Sequence, residues 1–118
     1  IIHITANDEE LKVLYTQAIA FIYPSLYEGF GMPILEAFAY GCPVLLNNTS
    51  CFPEVAGNAA IYFTSNKNYS NIAEKLTEIS KYNNEQRKSL IEKGYQQLNK
   101  YSWNKAANEL YQLYSSIV

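Results

Sequence analysis

The chain has 118 residues, of which 48% are apolar and 17% are charged, with nine Lys and Arg against eleven Asp and Glu. This length supports one domain at most, and the composition is that of a globular protein. The longest apolar runs are far shorter than the ~20 residues that a bilayer crossing needs, so we expect no membrane-spanning helix. A net charge of -2 without a basic cluster argues against nucleic acid as a partner.

The two cysteines, Cys42 and Cys51, are too few for a disulfide framework, and neither belongs to a C-x-x-C motif. We therefore expect both thiols to be reduced, as in the cytoplasm. The chain begins at Ile1, already inside an apolar β-branched run. We expect it to be a piece of a longer protein.

The first half of the chain alternates short apolar runs with helical patterns. Residues 1–5 predict a strand, because they are apolar and β-branched around one histidine. Asn7 is placed to cap a helix over residues 8–18, whose first turn is acidic. A second strand is predicted over residues 20–23 and, after a loop with two glycines, a helix over residues 32–40.

The second half predicts a third and a fourth strand at residues 44–46 and 61–63, followed by three helices, the second of which crosses Gly94. We expect Tyr101 and Trp103 to pack the last helix against the domain. Strands that alternate with helices at this spacing indicate βαβ units and a parallel sheet covered on both faces. The predicted fold class is α/β: a three-layer α/β/α arrangement around half of a doubly wound sheet, with C-terminal helices.

Ligands in such sheets bind beyond the carboxyl ends of the strands, which directs attention to the loops at residues 24–31 and 47–52. In the second loop, Asn48, Thr49 and Ser50 could touch a ligand. Polar loops without a ligand have the same composition, so this interpretation stays open.

The first loop carries the candidate site. Gly29 and Gly31 let the backbone turn sharply and come close to a ligand. The helix that begins near Met32 presents free amides and a partial positive charge, which suit phosphate oxygens. Glu28 and Glu36 flank these amides, and Glu36 is placed to bind vicinal hydroxyls such as those of a ribose. The same features are also explained without a ligand, since an acid near a helix start gains about 0.3–1 kcal/mol from the helix dipole.

Residues 24–37, PSLYEGFGMPILEA, continued by GCPV at residues 41–44, closely resemble the E-x7-E signature of the family-4 retaining glycosyltransferases, which have the GT-B fold. The likeness extends over nearly the whole chain. It includes DEEL at residues 8–11, PEV at residues 53–55 and YSW at residues 101–103.

The resemblance implies that residues 1–118 are the second half of a Rossmann-like C-terminal domain that binds a nucleotide-sugar. The acceptor would be supplied by a separate N-terminal domain. Glu28 would be the catalytic residue that faces the donor sugar, and Glu36 would hold the ribose hydroxyls. The loop and helix start between them would contact the sugar or the diphosphate, at Gly29, Phe30, Gly31 and Met32.

The resemblance also implies net retention at the anomeric carbon without a metal or other cofactor, which agrees with a sequence that has no D-x-D motif and no histidine cluster. The expected partners are a nucleotide-sugar donor and a glycan or lipid-linked acceptor, in the cytoplasm or at the inner membrane face. The resemblance further implies that the family's basic pair for the diphosphate would lie upstream of Ile1. We therefore expect this piece alone to be inactive, and its unpaired sheet edge to favour self-association.

Two other classes of protein remain as alternatives. A non-catalytic module could hold a nucleotide-sugar or a phosphate without transfer. The presence of both Glu28 and Glu36 favours the enzyme, because a phosphate cradle needs neither carboxylate. A flavodoxin-like or receiver-type domain would need an acidic cluster or a flavin loop at the end of the first strand, and residues 5–7 supply neither.

Overall fold

The computed structural model describes residues 1–66 and 70–118. Their helices and strands are, in chain order, α1 (Asp8–Gln17), β1 (Phe21–Tyr23), α2 (Met32–Ala39), β2 (Val44–Asn47), α3 (Phe52–Ala56), β3 (Ala60–Phe63), α4 (Ile72–Ser80), α5 (Asn84–Leu98) and α6 (Trp103–Ile117). A short 3-10 turn, Gly57–Ala59, joins α3 to β3. Every predicted element except the first is confirmed. Within these residues, no helix has the length and apolar character that crossing a membrane requires.

The strand predicted for residues 1–5 is wrong, because this segment is exposed and forms no regular structure. A strand needs a neighbour that pairs with its backbone N–H and C=O groups. Among the described residues β1 pairs only with β2, and its other edge is not joined by residues 1–5. The sheet therefore has three strands where four were predicted. Self-association through the free edge of β1 stays a prediction.

The three strands form a parallel sheet in the order β1-β2-β3. The register pairs Phe21 with Val44 across β1 and β2, and Asn47 with Phe63 across β2 and β3. All four residues of β2 are buried, as expected for a central parallel strand. Val44 belongs to the main core cluster with residues of α2 and α3, whereas Leu45, also fully buried, points to the opposite face. The predicted α/β class is confirmed.

Two sets of side chain to backbone hydrogen bonds fix α1 and the segment that leads into β1. Asn7 and Glu10 form a capping box at the start of α1, with side chain to backbone hydrogen bonds of 2.9 and 3.0 Å. At the other end, the Arg87 guanidinium of α5 donates two hydrogen bonds of 2.7 Å to the carbonyls of Ala18 and Ile19. A cation there stabilises the negative end of the helix dipole. The same contacts hold α5 against the entry to β1.

The packing predicted around α6 is wrong in part. Tyr101 is partly buried, and its hydroxyl lies 3.2 and 3.3 Å from the carbonyls of Glu54 and Val55. Trp103, by contrast, is 82% exposed, and α6 has no buried residue. The apolar spacing of this segment thus predicted a helix correctly but not its contacts.

Candidate functional site

The loops that follow β1 and β2 contact each other, because these strands are parallel neighbours whose carboxyl ends lie at one edge. The Ser50 hydroxyl accepts a hydrogen bond from the backbone N–H of Glu28 at 3.2 Å and donates one to its carbonyl at 3.1 Å. The Cys51 thiol lies 3.4 Å from the carbonyl of Glu28 and 3.3 Å from that of Phe30. The two loops selected from the sequence therefore form one surface.

Glu28 is partly buried, and one of its carboxylate oxygens has a protein partner. The Tyr23 hydroxyl donates a hydrogen bond of 2.7 Å to Oε1 of Glu28. This hydrogen bond, together with burial and the negative charge of the carboxylate, raises the pKa of Tyr23 to about 12. The hydroxyl is therefore a protonated donor at neutral pH. Oε2 of Glu28 accepts no hydrogen bond within residues 1–66 and 70–118, so its acceptor capacity is not used by these residues.

Glu36 lies in the second turn of α2 and is exposed. The hydroxyl of the buried Tyr15 is 3.4 Å from its Oε2, a long and weak contact. Burial, and then the charge of Glu36, raise the pKa of Tyr15 to about 12. The rings of Tyr15 and Tyr23 are joined through Phe21, with centroid distances of 5.4 and 5.6 Å. A continuous row of aromatic rings thus links the residues that contact the two carboxylates.

The start of α2 leaves backbone amides without partners. Gly31 precedes the helix with a φ of 90° and has no side chain to cap it. In the described part of the chain, the N–H groups of Phe30, Gly31 and Met32 donate to no protein acceptor. The next residue, Pro33, has no N–H. Free donors are therefore present at residues 30–32, between Glu28 and Glu36, where the sequence predicted them.

The two glycines of the loop have different roles. Gly31 needs its positive φ, and a Cβ there would lie 3.0 Å from Cδ1 of Ile34. Gly29 has no positive φ, and a Cβ there would meet nothing within 4 Å. The backbone conformation therefore requires glycine at Gly31 but not at Gly29, and the predicted approach of a ligand to Gly29 stays a prediction. What remains at Gly29 is open space beside the loop.

Glu36 also lines an apolar groove of about 610 Å³ between the start of α2, the end of α5 and the start of α6. Phe30 and Met32 form one wall, and Tyr101, whose ring meets that of Phe30 edge-on at 5.4 Å, forms another. The structure thus brings three of the predicted site residues to one groove. Glu28 does not line this groove. It lies on the loop that precedes α2.

The charged groups of this region are the two carboxylates. Among the described residues, no Lys or Arg lines the groove or bonds to Glu28. That part of the chain also contains no group of three or more His, Cys, Asp or Glu side chains placed to hold a metal ion. The expected metal independence stays a prediction.

Both cysteines, Cys42 and Cys51, are free thiols.

Sequence reasoning missed the two tyrosines that contact the carboxylates. Tyr15 falls within the helix predicted over residues 8–18 and Tyr23 within the strand predicted over residues 20–23, and neither pattern indicates a contact with a carboxylate. One signal was present, because a tyrosine at a core position needs an acceptor for its hydroxyl, which a phenylalanine does not. The interpretation of Ser50 as a ligand contact also missed that its hydroxyl is used by the backbone of Glu28.

Comparison with known proteins identifies relatives of this chain among bacterial mannosyltransferases. The O-antigen chain mannosyltransferase B of Escherichia coli is 54% identical to this chain over 54 residues, and the O-antigen chain mannosyltransferase RfbU of Salmonella typhimurium is 41% identical over 81 residues. These matches cover 46% and 64% of this chain. They cover only 14% and 23% of the two relatives, so the chain spans less than a quarter of their length.

The fold is also found among solved structures. In the crystal structure of the GtfA/B complex, one chain superposes with a TM-score of 0.72 and 20% identity, covering 91% of this chain and 23% of its own length. This match confirms the predicted GT-B type of α/β fold. The sequence profile of the family "Glycosyl transferases group 1" matches residues 1–97. Because that match takes in β1, α2 and the loop between them, the chain belongs to the group 1 glycosyl transferases.

Proposed function

We propose that this chain is the second half of the donor-binding C-terminal domain of a retaining glycosyltransferase. The complete protein transfers a sugar from a nucleoside diphosphate-sugar donor to a glycan or lipid-linked acceptor, in the cytoplasm or at the inner membrane face. The observation that carries this proposal is the row of free amides at the start of α2 between two carboxylates. The O-antigen mannosyltransferases among its relatives favour mannose as the sugar.

Each group of the site has a task in this reaction. The open Oε2 of Glu28 accepts hydrogen bonds from hydroxyls of the donor sugar and stabilises the positive charge that develops on it. The free amides of Phe30, Gly31 and Met32 bind the sugar or the diphosphate, as helix starts do for anions. Glu36 holds the two ribose hydroxyls. The space beside Gly29 lets the donor approach the backbone.

The leaving diphosphate needs more positive charge than this chain brings to the site. Its helix amides supply a partial charge, whereas Lys and Arg are absent from the groove lining within the described residues. We propose that cations from the rest of the protein complete the site. The reaction then needs no metal ion, and the chain alone is inactive.

The full-length protein titrated with GDP-, UDP- and ADP-sugars tests this function. We expect GDP-mannose to bind most tightly and to release nucleoside diphosphate when an acceptor is present, with product analysis showing retention at the anomeric carbon. Binding of a nucleotide-sugar without transfer to any acceptor would instead identify a non-catalytic module. No binding of any nucleotide-sugar would contradict both.

Substitution of the two carboxylates separates their roles. A hydrogen bond to a charged carboxylate contributes about 1.5–3 kcal/mol, so Glu36→Gln should weaken donor binding roughly ten- to a hundredfold. Glu28→Gln should lower kcat more than it raises KM, because its contacts tighten in the transition state. Steady-state kinetics of the full-length protein measure both effects. The matched control is Glu92→Gln on the exposed side of α5, and wild-type kinetics in both site variants would refute the assignment.

A further inference from the structure

Glu28 is held both at its backbone and at its carboxylate by residues outside the E-x7-E segment. We propose that Tyr23 and Ser50 are positioning residues that fix Glu28 in place for the donor sugar. This inference rests on the proposed role of Glu28. It assigns a task in the reaction to one side chain from the end of β1 and one from the loop after β2.

Ser50 fixes the backbone of Glu28. Its hydroxyl bonds to both the N–H and the carbonyl of that residue, at 3.2 and 3.1 Å, although the two residues are 22 positions apart in the chain. In the described part of the chain, Ser50 is also the one residue other than glycine that has a positive φ, which is 56°. Residues other than glycine rarely adopt this backbone conformation, and they keep it where the surrounding structure requires it. Here the positive φ accompanies the hydroxyl's double contact with Glu28.

Tyr23 fixes the carboxylate. Its hydroxyl holds Oε1 of Glu28 at 2.7 Å, and its ring is itself held between Phe21 and Phe52, with centroids 5.6 and 5.5 Å away. A rigid donor on one oxygen selects one orientation of the carboxylate. The other oxygen, Oε2, then has no competing protein donor among the described residues, and we assign it to the donor sugar.

These contacts with Glu28 matter because a carboxylate that stabilises developing charge must be in place before the reaction. A group that reorients during the reaction loses most of its electrostatic advantage. Displacement of a catalytic group by about 1 Å can cost roughly a hundredfold in rate. Loss of either contact should therefore lower turnover while leaving the fold and most of the donor contacts intact.

The test uses the full-length protein and three variants. Tyr23→Phe removes the hydroxyl but keeps the ring. Ser50→Gly removes the hydroxyl and accepts the positive φ, whereas Ser50→Ala removes the hydroxyl and keeps the backbone strain. Tyr62→Phe is the matched control for the tyrosine, because its hydroxyl donates to the carbonyl of Gly57 at 2.7 Å, away from Glu28. Ser80→Ala, whose hydroxyl bonds within α4, is the control for the serine.

We expect Tyr23→Phe and Ser50→Gly to lower kcat about tenfold or more, with less than about a threefold change in donor KM and thermal unfolding like that of the controls. Ser50→Ala should have the same kcat as Ser50→Gly but should unfold at a lower temperature than Ser50→Gly, because alanine keeps the backbone strain. Control variants should keep the wild-type kcat. Wild-type kcat in both Tyr23→Phe and Ser50→Gly would overturn the inference.

A double-mutant cycle shows whether the two residues act through Glu28. When Glu28→Gln is already present, adding Tyr23→Phe or Ser50→Gly should cost less than about threefold, because residues that act as a unit are not additive. Full additivity would overturn the positioning role and leave the role of Glu28 standing. Wild-type kinetics of Glu28→Gln by itself would overturn the inference and the proposed role of Glu28, and wild-type kinetics of Glu36→Gln as well would overturn the proposed function, so the failures are distinguishable.

Discussion

Gly29 and Gly31 are the same residue type two positions apart, and the structure gives them different tasks. Gly31 has a φ of 90°, and a Cβ there would lie 3.0 Å from Ile34 and 3.3 Å from Phe52. At Gly29 a Cβ would enter open space. The fold therefore requires glycine at position 31, whereas at position 29 it leaves open space that the proposed ligand can use.

Alanine substitutions should separate these tasks. Gly31→Ala should lower the free energy of unfolding by about 1–3 kcal/mol, because it adds both backbone strain and a close contact. Gly29→Ala should change that free energy by less than about 0.5 kcal/mol, yet weaken donor binding, since its methyl group occupies the approach to the loop. Urea unfolding and donor titration of the full-length protein measure the two effects. Equal loss of stability in both variants would contradict this division.

At the scale of elements, the contact between α2 and α5 depends on Gly94. A glycine inside a helix normally costs about 1 kcal/mol relative to alanine. Here a Cβ would lie 2.8 Å from the ring of Phe38, which is itself only 2% exposed. Gly94→Ala should therefore destabilise the protein by about 1–3 kcal/mol despite the gain in helix propensity. The unfolding midpoint in urea measures this, with the neighbouring Lys93→Ala as the control, and a more stable Gly94→Ala variant would disprove the close packing.

The elements also show what a sequence determines locally. α1, α2 and α5 were predicted because caps, proline positions and apolar spacing act within one or two turns, as the Asn7 capping box does. Residues 1–5 have the composition of a strand, but strand formation depends on a partner elsewhere in the chain. The apolar face of α6 likewise predicts a helix without identifying its neighbour. For the same reason the E-x7-E residues were visible in the sequence, whereas the contact between Ser50 and Glu28, 22 residues apart, was not.

At the scale of the whole molecule, the chain has a net charge of -2. Its candidate site contains two carboxylates, although the proposed ligand carries negative charge on both phosphates. Free amides at one helix start provide only about half a positive charge. The 118-residue chain expressed alone should therefore show no sugar transfer under conditions where the full-length protein is active, and should bind the donor at least roughly tenfold more weakly. Circular dichroism and urea unfolding verify that the chain is folded, and calorimetry and product analysis measure binding and transfer. Transfer by the folded chain alone would show that its own residues neutralise the leaving diphosphate.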